Sequence, residues 1–213
     1  MQKRKRMSSN ERKKQIIEVA MKVFSKKGFQ GTKTKDIAKA AGISEAMIFK
    51  FFENKNDIYN SISSTINSNM KDHPKEIGIQ SQVGNLPTVL KRFILHVIDH
   101  TKKDSAFIRL MLYSSLEERK IVNDFVRTHL LGAREALTEV IEKGIKTGEY
   151  RKVNPKLVFQ IFEYLMAGYS IEQFVLGVDK NKAFDEKEVA ETMVDIFLNG
   201  LRKHNRNKKG KHE

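Results

Sequence analysis

Apolar positions recur at helical spacing along most of the chain. From Glu11 to Lys27, Ile16, Ala20, Val23 and Phe24 fall at i, i+4, i+7 and i+8, with Ile17 beside them, which predicts an amphipathic helix closed by Gly28. A second helix is expected from Thr34, whose hydroxyl suits an N-cap, to Ala41, with Asp36 in its first turn and Gly42 as its left-handed stop. Ser44 then restarts the chain as the next N-cap. Beyond it Ile48, Phe51 and Phe52 share one side, leaving Ala46, Phe49, Lys50 and Glu53 on the other. A helix from Asp57 carries Ile58, Ile62 and Ile66 on one face. Residues 72–87, with two prolines and two glycines, read as an irregular linker. After it the spacing predicts helices at about 88–102, 104–118, 119–147, 155–178 and 186–204. The fold class expected is all-α.

Two short helices joined by a glycine turn of about three residues have the spacing of a helix-turn-helix unit. Together with the first helix, the apolar residues Ile37, Ala41, Ile48, Phe52 and Phe29 suffice for a three-helix core. The division expected is a basic arm and helix-turn-helix domain over 1–55, and a helical regulatory and dimerisation domain with a basic tail over 56–213.

Charge adds a partner. The net charge is +14, and residues 1–55 hold 15 Lys/Arg against 5 Asp/Glu, whereas 56–201 hold 19 against 20 and 202–213 hold 6 against 1. A basic N-terminal segment on a helix-turn-helix points to double-stranded DNA, because phosphate neutralisation supplies most sequence-independent affinity. The ends 1–10 and 202–211 read as solvated basic tails. No stretch approaches the roughly 20 apolar residues of a membrane span. No apolar core follows the basic start, and a cytoplasmic protein is expected. The absence of cysteine removes disulfides, thiolate metal sites and Cys nucleophiles. No phosphate-cradling loop or acid/base constellation is present, so an enzyme is not expected and no cofactor is implied.

The residues Ile16-Ile17, Ala20, Phe24, Gly28-Phe29, Gly31-Thr32, Thr34, Asp36-Ile37-Ala38, Ala41-Gly42-Ile43-Ser44, Ile48-Phe49, Phe51-Phe52, Asn54-Lys55 and Ile58 together resemble the TetR family of bacterial repressors. The likeness covers about residues 12–60; the rest is similar in length, helicity and the Gly144-x-x-x-Gly148-x-Tyr150 turn. The resemblance implies a homodimer in which each protomer carries one DNA-binding domain and one helical domain for a small-molecule effector. Carried over by position, Glu45, Ala46, Phe49 and Lys50 face the groove, and Thr34 and Lys55 hold phosphate. Phe49, Phe51 and Met47 replace hydroxyl-bearing residues usual in the family. Phe49 is therefore expected to pack on a thymine methyl, Lys50 to reach a guanine O6/N7 edge, and Glu45 to accept from a cytosine amino group.

In the later helices Phe93, Val97, Met111, Phe125, His129, Phe162 and Met166 are the candidates for lining an effector cavity, although the same side chains equally suit a core. Arg109, Arg127, Arg134 and Glu163 are possible polar anchors. Phe159, Phe162, Met166, Tyr169, Val189, Met193, Ile196 and Phe197 are candidates for a two-fold helical interface, with intramolecular core as the alternative. His96 and His100 stand four apart on one helix face, but no third ligand is identifiable and no metal is expected. The function expected is a ligand-responsive repressor on a palindromic operator. The alternative is a DNA-binding architectural or cell-cycle protein of the same fold, regulated by a protein partner.

Overall fold

The computed structural model describes residues 7–69, 86–177 and 184–203. The basic ends and most of the expected linker lie outside the described residues. Helix α1 (Ser9–Lys27) opens with a capping box: Glu11 N donates to Ser8 Oγ at 3.3 Å and Ser8 N to Glu11 Oε2 at 2.7 Å. It ends at Gly28. Helices α2 (Thr34–Ala41) and α3 (Glu45–Ile48) form the helix-turn-helix, and α4 (Lys55–Asn69) follows. Then come α5 (Leu86–Lys103), α6 (Ala106–Leu116), α7 (Ile121–Phe125), a π-helical turn (Val126–Leu130) and α8 (Leu131–Thr147). Helix α9 (Pro155–Ile171), a second π turn (Glu172–Leu176) and α10 (Glu186–Leu201) complete the described chain. Among the described residues the sole β feature is an isolated bridge between Tyr150 and Arg202, so the fold is all-α as expected.

Two units emerge: Met1–Lys71 with Lys103–His129, and Asp72–Lys102 with Leu130–Glu213. This division differs from a boundary at 55/56. The reason is burial on α4, whose Ile58, Tyr59, Ile62 and Ile66 point into the same core as Ile16, Ala20, Phe24, Ile37 and Ile48. Leu110 of α6 and Ile121 of α7 close that core. At its centre the Phe24 and Phe29 rings stack with centroids 5.8 Å apart, and Tyr59 meets both edge-on at 5.1 and 5.2 Å.

The second unit packs α5, α8, α9 and α10 around Leu90, Ile94, Ile98, Leu137, Ile141, Phe159, Phe162, Val194 and Leu198. Arg134 of α8 and Glu163 of α9 form a two-pronged pair, with Nη2 to Oε2 at 2.8 Å and Nε to Oε1 at 3.1 Å. Lys91–Glu191 and Lys102–Glu186 link α5 to α10 at the rim. Asn154 caps α9, accepting from the amides of Lys156 and Leu157 ahead of a proline at the first helical position.

Candidate nucleic-acid interface

The corner between α2 and α3 is built by backbone chemistry. Gly42 adopts φ 66° and ψ 35°, and the Ile43 amide donates to Ala38 O at 3.1 Å, closing α2. Ser44 Oγ accepts from Met47 N at 3.2 Å and starts α3. Regular helix ends after Ile48, and Phe51 N and Phe52 N both donate to Ile48 O, at 2.9 and 3.0 Å. The second helix is therefore shorter than the sequence suggested. Asn54 and Asp57 explain the early stop: Asp57 N donates to Asn54 Oδ1 at 3.0 Å and Glu53 N to Asp57 Oδ2 at 3.1 Å, a cap that commits the chain to α4.

Ile48 and Phe52 are buried and Phe51 half-buried, which anchors the corner. Ala46, Lys50 and Glu45 are exposed, and Phe49 stands 51% exposed, a large apolar ring held in water beside a lysine. Lys13 on α1 lies with its ammonium 5.4 Å from the Phe52 ring centre and adds a cation near the corner that periodicity alone did not single out.

Thr34 and Lys55 are placed differently from expectation. Thr34 is the first helical residue of α2 and not its cap; the cap is Lys33, whose amide donates to Asp36 Oδ2 at 3.1 Å. That amide, aided by Lys27 at 3.3 Å, holds the Asp36 carboxyl below the usual carboxylate range. The Thr34 hydroxyl donates to the Glu45 carboxylate, so these two expected DNA contacts hold each other. Lys55 Nζ donates to Phe29 O and Thr32 O, both at 2.8 Å, and sits 4.2 Å from the Phe29 ring centre. Burial first, and then the Arg119 charge, push its ammonium pKa down. Two residues that no local sequence pattern marks, Glu117 and Arg119, reach the same turn from the far end of α6.

The expected effector residues are divided between the units. Phe162 and Met166 are buried in the second unit's core, with Phe93 packed against it and Val97 half-buried nearby in sequence on α5. Met111 and Phe125 pack against the first unit's core, and the buried His129 lies with its ring 5.1 Å from Phe125 and its Nε2 3.1 Å from Asn67 Oδ1. The expected interface residues need correction. Phe159, Phe162 and Met166 are intramolecular core, because α9 is apolar nearly all round and those residues occupy its inner side, and Val189 and Phe197 of α10 are buried in the same core. Its outer side presents Leu157, Ile161, Tyr164 and Leu165, with Ile196 exposed on α10. His96 and His100 have ring centres 6.3 Å apart, and among the described residues no group of three or more metal-ligating side chains converges. No helix of the described residues is long and apolar enough to cross a membrane.

Residues 16–62 match the profile of the bacterial regulatory proteins, tetR family. The chain is 25% identical over 209 residues to the HTH-type transcriptional regulator AcrR of Shigella flexneri, covering 93% of each protein. It is 25% identical to IcaR of Staphylococcus epidermidis, the HTH-type negative transcriptional regulator of the biofilm operon icaADBC, covering 87% of this chain and 98% of that one. The fold is similar to that of the fatty acid degradation regulator FadR from Bacillus halodurans, with a TM-score of 0.65 at 21% identity, over 94% of this chain and 100% of that one.

Proposed function

From its membership of the TetR family of bacterial regulatory proteins, to which the chain belongs, we propose that it is a repressor that binds a palindromic operator as a homodimer and is released by a small hydrophobic effector. The observation that carries this reading is the side-chain division at the α2–α3 corner: Ile48 and Phe52 buried, Ala46, Phe49 and Lys50 offered outward together. A corner anchored in this way enters a major groove as a rigid reader. Lys50 donates to a guanine O6/N7 edge, and Phe49, lacking a hydroxyl, packs on a thymine methyl. Glu45 bonds to Thr34 and thereby orients the start of α3. Repression accords with the negative regulation that the name of IcaR records for that relative.

The outer side of α9, with Leu157, Ile161, Tyr164 and Leu165, supplies the self-complementary apolar surface a two-fold partner needs. Such a dimer sets its reading corners roughly 34–36 Å apart, or a multiple of that, to meet two half-sites. The effector is proposed to enter among Phe93, Val97, Phe162 and Met166, with the Arg134–Glu163 pair as the polar element within the same unit. By differential affinity it shifts the dimer toward the form that does not bind DNA. The test is selection of genomic fragments by the purified protein at physiological salt, repeated with cell extract or a ligand library. Retained fragments carrying an inverted repeat, displaced by a small molecule, are expected. Failure to retain any fragment over bulk DNA would overturn the operator reading, and fragments that no small molecule displaces would overturn the effector reading.

A further inference from the structure

The turn from Gly28 to Lys33 is gripped by side chains of opposite charge from two distant points of the chain. Lys55, the first residue of α4, places its ammonium on the carbonyl oxygens of Phe29 and Thr32, both at 2.8 Å. Glu117, just past α6, takes two successive amides: Oε2 accepts from Phe29 N at 2.8 Å and Oε1 from Gln30 N at 3.0 Å. The cation thus meets carbonyls and the anion meets amides, the pairing that backbone dipoles favour and that charge strengthens. The Arg119 guanidinium carbon lies 3.4 Å from the Phe29 ring centre and completes the grip with a cation–π contact.

The geometry after α6 makes this reach possible. Glu118 adopts a positive φ of 53°, and Arg119 N donates to Ser114 O at 2.7 Å, so the chain reverses and both Glu117 and Arg119 meet the turn. Tyr113 adds a long bond from its hydroxyl to Lys26 O at 3.3 Å. A Cβ at Gly28 would stand 2.5 Å from Glu117 Oε1, so the close approach itself requires glycine there. The gripped turn leads directly into Lys33, the cap of α2, and hence sets the direction of α2 and α3.

This arrangement occupies Lys55. An ammonium has three protons, and two are held by carbonyls of its own chain. A lysine that serves phosphate instead projects its ammonium into water, where counterions can be released.

We infer that Lys55 and Glu117 are positioning residues for DNA binding, which clamp the α1–α2 turn from opposite charges and fix the angle at which α3 is offered, with neither touching phosphate. The inference rests on the DNA-binding reading above. It makes two claims opposite to simple electrostatics. Removing a carboxylate from a DNA-binding protein should tighten binding through net charge alone, whereas loss of the Glu117 grip weakens it. Removing a phosphate-binding lysine should flatten the salt dependence by about 0.9 in the slope of log K against log salt, whereas loss of the Lys55 grip leaves the slope unchanged.

The experiment uses the full chain as Lys55→Met and Glu117→Gln, with a selected operator fragment as probe across a salt series. The glutamine keeps the size of the side chain but replaces one accepting oxygen with a donor, so at least one of the two amide bonds is lost. Both variants are expected to bind at least roughly tenfold more weakly, equivalent to about 1.4 kcal/mol, with the wild-type salt slope and the wild-type base preference. Equal or tighter binding by Glu117→Gln, or a flattened slope for Lys55→Met, overturns the inference.

Amide exchange in the DNA-free protein tests the grip without an operator. Exchange at Phe29 and Gln30 is expected to accelerate at least roughly tenfold in Glu117→Gln while Leu137 and Ile141 in the second unit's core exchange at wild-type rates. Unchanged exchange at Phe29 and Gln30 would overturn the grip, and equal acceleration at all four sites would reduce it to a general stabilising contact. Should the wild-type protein retain no genomic fragment, the DNA-binding reading fails on that result, and the exchange measurement alone decides the grip.

Discussion

Two glycines at the ends of α1 and α2 offer a comparison in which one substitution has sharply different consequences. Gly28 sits at φ 70° and ψ 177°, and Gly42 at φ 66° and ψ 35°. Alanine at Gly42 meets no atom within 4 Å, so its penalty is the left-handed backbone alone, about 1–2 kcal/mol. Alanine at Gly28 enters a region of backbone space that only glycine adopts freely, at about 1–3 kcal/mol. Its Cβ would also stand 2.5 Å from Glu117 Oε1 and 2.9 Å from Tyr113 Cδ1. The carboxylate must then leave the Phe29 and Gln30 amides, losing charge-assisted bonds whose removal costs about 1–3 kcal/mol more. Gly28→Ala is therefore expected to destabilise the first unit by about 4 kcal/mol and Gly42→Ala by about 1 kcal/mol. Exchange of the buried Ala20 and Ile37 amides reads the stability of this unit without interference from the other, and each variant's opening free energy is compared with wild type. Equal losses for the two variants would refute the steric account of Gly28 and, with it, the close approach of Glu117.

Three further outcomes follow from other parts of the molecule. Breaking the Arg134–Glu163 pair with Arg134→Met should cost about 1–3 kcal/mol in the second unit, because Glu163 is left largely buried, and a double-mutant cycle with Glu163→Gln should return a favourable coupling. The Asp36 carboxyl is held below its ordinary range in the folded chain, so its contribution is present above the unfolded-state pKa and disappears as pH falls through the folded one. Asp36→Asn should then remove part of the acid-side pH dependence of exchange in α2 below about pH 4 while leaving the neutral-pH slope unchanged. Ile161→Glu on the exposed side of α9 should convert the proposed dimer to a monomer in sedimentation, whereas Lys156→Glu, exposed five residues earlier, should not.

What could be read from the sequence was local. The spacing of Ile16, Ala20 and Phe24 fixes the inner face of α1, and the Gly42–Ser44 corner follows from the backbone needs of one glycine and one hydroxyl. Even the offered set of Ala46, Phe49 and Lys50 follows from burial of Ile48 and Phe52 four residues apart. What the sequence leaves unread has a different cause. Thr34 and Lys33 stand side by side at the start of α2, and what makes Lys33 the cap is the Asp36 carboxylate on its amide. In α9 apolar residues cover most of the circumference, so periodicity cannot say that Phe159, Phe162 and Met166 face inward while Ile161, Tyr164 and Leu165 face out. Glu117 lies 88 residues from the amide of Phe29 that it binds, and no local pattern announces such a bond. Lys55 matches a family phosphate position by sequence alone, and its carbonyl partners become visible only once the α1–α2 turn is folded beside it.

The most direct test of the reading corner is selection of DNA from a library randomised across both half-sites, by wild-type protein and by Lys50→Ala. If Lys50 reads a base edge, the variant should lose its preference at one position in each half-site, related by the operator's two-fold symmetry, and keep the rest of the motif, with a loss of about 1–3 kcal/mol toward the wild-type sequence. An unchanged motif bound uniformly more weakly, with a flatter salt dependence, would mean that Lys50 touches only phosphate and that Ala46, Phe49 and Lys50 are not the face that reads DNA.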